Sequence, residues 1–271
     1  MKRRGLTTAL VSVLGILVFL VAGGLKLKDA VKGATRGAGS AVERAVSERV
    51  EQALYKKLAP KEKLPPPKSQ NWGQFMALQA QVIFGYTFSA GGYWMGQTAY
   101  QPGEFTKFEW KSKDNDTVEF ERAFLKKPEE GKEWWRVSWV EKDGSWIYEA
   151  LISTADGTLL RMRAKDADGN IGEVPVSGET VIYMPPQELT KESIAGATVS
   201  RDKVTTPAGT FDADHVVYMA TSGEGQVEWW ITDKVPGGVV KYLGNDKKEG
   251  VVWTSTLKDK GGNATSILGS F

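Results

Sequence analysis

The sequence predicts a mainly β protein: a large antiparallel β domain preceded by an N-terminal transmembrane span and a stalk helix. Three observations carry this. Apolar and polar residues alternate with period two between about residues 118 and 257. Asp-Gly and other turn signals separate the alternating runs. An uncharged, largely apolar run occupies Leu6 to Leu25.

The apolar run follows Lys2, Arg3 and Arg4. Spanning a bilayer takes about 20 apolar residues, whereas the apolar part of a cleaved signal is only about 7–15 long. Residues 1–25 therefore read as a retained signal-anchor with its N-terminus in the cytoplasm. Cleavage after Ala22-Gly23-Gly24 is the competing reading, and it would release the protein to the periplasm.

Residues 26–58 come next. Ala30, Ala34, Ala38, Ala41, Ala45, Val46, Val50, Ala53, Leu54 and Leu58 recur at helical spacing, giving an amphipathic, Ala-rich stalk helix. Its small residues, with Gly33 and Gly37 four apart, suit self-association into a homo-oligomer; high helix propensity suits a solvated stalk equally well. Pro65, Pro66 and Pro67 cannot continue a helix, so residues 59–71 read as a Pro-rich linker and 72–271 as the β domain.

Charge and cysteine content narrow the function classes. Residues 1–71 hold 14 of the 35 Lys/Arg and only 5 of the 33 Asp/Glu, so the β domain is mildly acidic. It lacks the basic footprint of a nucleic-acid binder. With no cysteine there is no disulfide, zinc–thiolate site, thiol catalysis or cysteine-borne lipid anchor.

Within the β domain, Val118, Phe120 and Phe124 oppose Glu119, Glu121 and Ala123, and Trp135, Val137 and Trp139 oppose Arg136 and Ser138. Trp146, Tyr148, Ala150 and Ile152 share a face; Leu160, Met162 and Ala164 oppose Arg161, Arg163 and Lys165. Val227, Trp229 and Ile231 oppose Glu228 and Thr232, while Val251, Trp253 and Leu257 oppose Thr254 and Thr256. Turns are expected at 142–145, 155–158, 166–170, 207–210, 222–225 and 245–250. The helical period is expected to end near residue 73, and 185–196 to hold at most a short helix. About ten strands result, and a sheet that large must curl, close or split.

The chemistry candidates are weak. His215, beside Asp212 and Asp214, is the only histidine and reads as a packed or edge residue. Asp166, Asp168 and Asn170 fit the first three ligand positions of a calcium loop, but Ile171 and Ser177 stand where glycine and glutamate are needed, so a hairpin turn is expected. Pro236-Gly237-Gly238 lacks a phosphate-loop ending and reads as a corner between strands. Glu228 and Asp233 read as strand-face charges rather than a catalytic pair. No catalytic residue, metal or cofactor is expected, and no enzyme activity.

The ten tryptophans are the unusual feature. Trp110, Trp135, Trp139, Trp146, Trp229 and Trp253, with Tyr148 and Met162, fall on apolar faces. They form either a bulky packed core or the lining of an apolar ligand cavity. Trp230 faces away from Trp229, with Glu228 and Thr232, and is the candidate for contacting a partner.

The segments VTTPAGTFDADHVVY and GQVEWWITDKVPGGVVKY, together spanning Val204–Tyr242, resemble a pattern in the lipoprotein-carrier (LolA/LolB-like) class of bacterial envelope domains. The resemblance implies one strongly curved antiparallel sheet, a half-barrel around an apolar cavity, and an envelope location. Members of known role handle lipid-modified proteins. This chain departs from a soluble carrier by its anchor and stalk, and from a lipidated receptor by lacking an N-terminal cysteine. The expectation is a single-pass inner-membrane protein whose periplasmic domain binds a lipid, acyl chain or lipoprotein. The alternative is an envelope assembly protein with a packed β domain and an oligomerising stalk.

Overall fold

The computed structural model describes residues 70–89, 99–112, 117–176, 191–219, 225–246 and 251–271. The expected signal-anchor and stalk, and the linker up to residue 69, lie outside the described residues. Among the described residues no helix is long and apolar enough to cross a membrane.

The described residues form eleven strands and two helices: α1 (Gln70–Ser89), β1 (Phe105–Ser112), β2 (Thr117–Glu129), β3 (Lys132–Glu141), β4 (Gly144–Ser153), β5 (Leu159–Lys165), β6 (Ile171–Val174), α2 (Lys191–Ala197), β7 (Thr198–Thr206), β8 (Gly209–Met219), β9 (Gly225–Ile231), β10 (Val239–Asp246) and β11 (Val251–Gly261). All eleven strands form one sheet in the order β6-β5-β4-β3-β2-β1-β11-β10-β9-β8-β7. Every neighbouring pair is antiparallel. Two meanders, β1–β6 and β7–β11, are thus sewn together by the pairing of β1 with β11. Two stacked sheets are not what forms; the sequence alone had left that open.

Strand twist and bulges curl so long a sheet. Register shifts fall at Lys107/Phe108, Phe124/Lys126, Leu151/Ile152, Thr198/Ser200 and Val239/Lys241. The curl brings β7 near β11. The shift at Leu151/Ile152 also corrects one expectation. It pairs Ile152 with Leu159, so Leu159 is buried and Leu160 is turned outward.

Helix α1 packs on β2, β3 and β6 and defines the inner face. Here the expected loss of helical period near residue 73 is corrected: the helix runs to residue 89. Trp72, Met76, Ala80, Ile83, Phe84 and Phe88 recur at helical spacing and are buried against the sheet. The stripe is masked in sequence because Phe75, Ala77 and Val82, off the stripe, are also apolar. Three hydrogen bonds pin the helix along its length. Trp72 donates to Asp166 Oδ2 (2.8 Å), Tyr148 donates to Gln79 Oε1 (2.7 Å), and Arg122 donates to the Thr87 carbonyl (3.0 Å). Burial, with the Asp166 charge nearby, pushes the Tyr148 phenol well above its ordinary pKa, so it stays a donor.

Residues 262–271 cross the outer face of β2–β5. Buried Glu149 accepts from Ser266 Oγ, Ile267 N, Leu268 N and Ser270 Oγ at 2.6–3.2 Å. Arg136 and Arg161 donate to the carbonyls of Thr265 and Ser270, and Phe271 packs on Trp134.

Candidate functional site

Cross-strand register determines which residues share the inner face. Phe108 pairs with Phe120, Phe120 with Trp139, and Trp139 with Trp146. Trp135 pairs with Ala150, and Ala150 with Met162. Towards the other edge, Trp110 pairs with Ser255, Ser255 with Tyr242, Tyr242 with Trp229, and Trp229 with Val216. All eight sequence-predicted lining residues, Trp110, Trp135, Trp139, Trp146, Tyr148, Met162, Trp229 and Trp253, are therefore brought to one face. All are buried, Trp110 being the most exposed at 6 %.

The face divides into two halves. Over β2–β6 it is filled by α1: Phe88 meets Trp135 edge-on at 5.1 Å, and Phe84 meets Tyr148 edge-on at 6.4 Å. Two of the indoles here have polar anchors. Trp135 donates to Glu133 (2.7 Å) and Trp139 to Glu141 (2.6 Å). Over β8–β11 the rings form a ladder. Tyr218 contacts Trp229 (5.8 Å), Trp229 stacks on Tyr242 (5.0 Å), and Tyr242 contacts Trp253 (4.5 Å). The ladder needs Gly244, because a Cβ there would lie 2.0 Å from Trp253 Cζ2. Helix α2 rests at the β8 end, with Ile194 buried and Ser193 Oγ 3.2 Å from the Tyr218 hydroxyl.

Between the halves sits Arg122, which alternation alone did not single out. It is fully buried, bonds Tyr100 OH (2.7 Å) and the Thr87 carbonyl (3.0 Å), and lies 5.5 Å from the centres of the Tyr100 and Phe108 rings. The Pro236-Gly237-Gly238 corner closes this end. Gly237 has φ +76° and a Cβ there would come 2.7 Å from the Tyr100 ring, so both backbone and space require glycine. The corner is held by Gly238 N to Val235 O and Thr232 N to Gly238 O, both 2.8 Å.

On the outer face, Ser200, His215, Trp230 and Lys241 form one cross-strand row. Trp230 points outward, as alternation requires, but is only 9 % exposed. Its ring stacks on His215 (4.3 Å), Lys241 Nζ sits 4.5 Å above it, and its N–H donates to Asp202 (2.9 Å). That bond, with one from Ser200, holds the Asp202 carboxyl below its ordinary pKa. His215 Nε2 lies 2.8 Å from Glu228 Oε2. The row is thus a packed outer-face cluster that leaves little of Trp230 to offer a partner. Among the described residues, no three of His, Asp, Glu or Cys group so as to hold a metal ion.

In architecture the β domain is the one large, curled antiparallel sheet that the sequence resemblance implies. One curved antiparallel sheet wraps a helix, and the motif-bearing stretch Val204–Tyr242 forms the end of β7 through the start of β10. No family model and no curated protein matches the chain. Among solved structures it is similar to an exported protein with a YmcC-like fold from Bacteroides fragilis, at 13% identity and TM-score 0.33, covering 60% of this chain and 98% of that one. It is also similar to a DUF1329 family protein from Desulfovibrio piger, at 12% identity and TM-score 0.29, covering 68% and 94%. A chain in the Pseudomonas aeruginosa MucA/MucB complex shows 11% identity and TM-score 0.40, covering 65% of this chain and 58% of that chain.

Proposed function

We propose that this is a non-enzymatic, membrane-tethered periplasmic domain that binds an apolar ligand, a lipid or the acyl chain of a lipoprotein, against its inner face. The observation that carries the reading is the division of that face. One sheet presents aromatics from β1–β4 and from β8–β11, and α1 packs mainly on β2, β3 and β6, leaving the ladder of Trp229, Tyr242 and Trp253 away from it. Large flat rings give an acyl chain extensive apolar contact at little conformational cost. The tether rests on the apolar run Leu6–Leu25, and the periplasmic side on the charges that precede it. Native mass spectrometry of the purified full chain tests the reading. A co-purifying lipid, or uptake of an added one, supports it; a chain that takes up neither contradicts it.

A second reading is an envelope assembly protein. It is favoured by the completeness of the inner-face packing and by the Ala-rich pattern of residues 26–58. Light scattering separates this reading: loss of an oligomer on deleting residues 26–58 supports it, and a monomer in both forms refutes it.

A further inference from the structure

The inner face carries a patch of polar atoms that no group among the described residues satisfies. Trp110 Nε1, Ser255 Oγ, Tyr242 OH and Trp253 Nε1 are all buried and have no hydrogen-bond partner among the described residues. They are close neighbours. Trp110 pairs with Ser255 and Ser255 with Tyr242 across β1, β11 and β10, while the Tyr242 and Trp253 ring centres are 4.5 Å apart. Buried polar groups are normally bonded, because an orphan forfeits its hydration with nothing in return. Four orphans side by side are therefore a feature needing a cause.

Their chemistry is directional. An indole N–H can only donate, and a hydroxyl can donate or accept. Burial pushes the Tyr242 phenol far above its ordinary pKa, so it remains a donor. The flanking positions Phe108, Leu257 and Gly244 are uncharged, and the buried cation beyond Phe108, Arg122, is already engaged by the Tyr100 hydroxyl and the Thr87 carbonyl. A patch rich in neutral donors and framed by apolar side chains matches an uncharged acceptor better than an anion, which would require a cation beside it.

We propose that Trp110, Tyr242, Trp253 and Ser255 form a subsite for the carbonyl oxygen of an acyl ester or amide, with the attached chain lying along the aromatic ladder. This rests on the apolar-ligand reading and sharpens it. The ligand is recognised by its carbonyl as well as by its hydrocarbon, whether that carbonyl comes from a glycerolipid ester or an N-acyl amide.

The test uses the full chain and three probes of matched length: methyl hexadecanoate, N-methylhexadecanamide and hexadecyl methyl ether. Affinities are read by native mass spectrometry on wild type, Tyr242→Phe and Tyr242→Phe/Ser255→Ala. A carbonyl probe should bind wild type about tenfold tighter than the ether, the equivalent of one or two neutral hydrogen bonds. The ester and amide arms show which source is preferred. The preference should shrink in the single variant and vanish in the double one, as the carbonyl probes weaken more than the ether. The ligand-free variants should melt no lower than wild type, since no bond is lost. Equal binding of all three probes overturns the subsite and leaves the apolar-ligand reading standing. Binding of none overturns both. A lower melting temperature in ligand-free Tyr242→Phe would mark the hydroxyl as structural and overturn the subsite.

Discussion

The indole N–H of Trp72 donates to the Asp166 carboxylate across 2.8 Å, joining the first turn of α1 to the β5–β6 hairpin 94 residues away. The same carboxylate accepts from the backbone N–H groups of Asp168 (3.0 Å) and Asn170 (2.8 Å) and from Asn170 Nδ2 (2.9 Å). The residues that fit the start of a calcium loop thus shape a hairpin turn and dock a helix. Trp72→Phe keeps most of the buried ring but removes one donor from a charged acceptor. It should cost about 1.5–3 kcal/mol, read as a lower denaturant midpoint at unchanged slope.

Gly244 is a packing requirement rather than a turn. A methyl group there would collide with the Trp253 ring, which lies flat against the strand. Gly244→Ala should destabilise the domain by about 1–3 kcal/mol, the usual range for overpacking. Trp253→Leu in the same chain should recover part of that loss in thermal unfolding.

The segment over the outer face is held by Arg136, Arg161 and the Phe271 ring, and by one carboxylate that takes most of its donors. Glu149 takes four donors from residues 266–270, so Glu149→Ala strands those donors together. A loss of about 2–4 kcal/mol is expected. Hydrogen exchange should rise at Ile267 and Leu268 well before it rises in β3 or β4.

Acid sensitivity should have an identifiable contributor at Glu119. Hydrogen bonds from Lys258 and Lys107 hold its carboxyl below the ordinary value of 4.5. The folded pKa lies below the unfolded one, so this contribution is complete above about pH 4.5 and fades as pH falls through the folded value. Glu119→Gln should flatten stability against pH in that acid window and leave its shape near neutrality unchanged. The side chain is partly solvated, so the effect is modest.

Much of the sheet was legible in the sequence because period-two alternation follows directly from the pleat. The Trp135 and Trp146 runs, and Trp229 against Trp230, reach the faces that alternation assigns them. What stayed hidden has two physical causes. One is the bulge, which reverses alternation without any compositional mark, as at Leu159 and Leu160. The other is a polar residue on an apolar face. Arg122 sits between Phe120 and Phe124, and Ser255 between Trp253 and Leu257, so each reads as an interruption until its strand partners are known. Both then prove central to the inner face. Helix α1 was missed for a related reason: apolar residues off its buried stripe blur its period, and its partners are far away in the chain.

The central claim is that the inner face binds an acyl ligand. The most direct measurement is native mass spectrometry of the full chain, wild type and Trp229→Ala, after exposure to phospholipid. The account predicts one bound lipid on the folded wild-type protein and about a tenfold or greater loss of occupancy when the central ring of the ladder is removed. A wild-type chain that remains unliganded, or a variant that folds and binds as well as wild type, would contradict it.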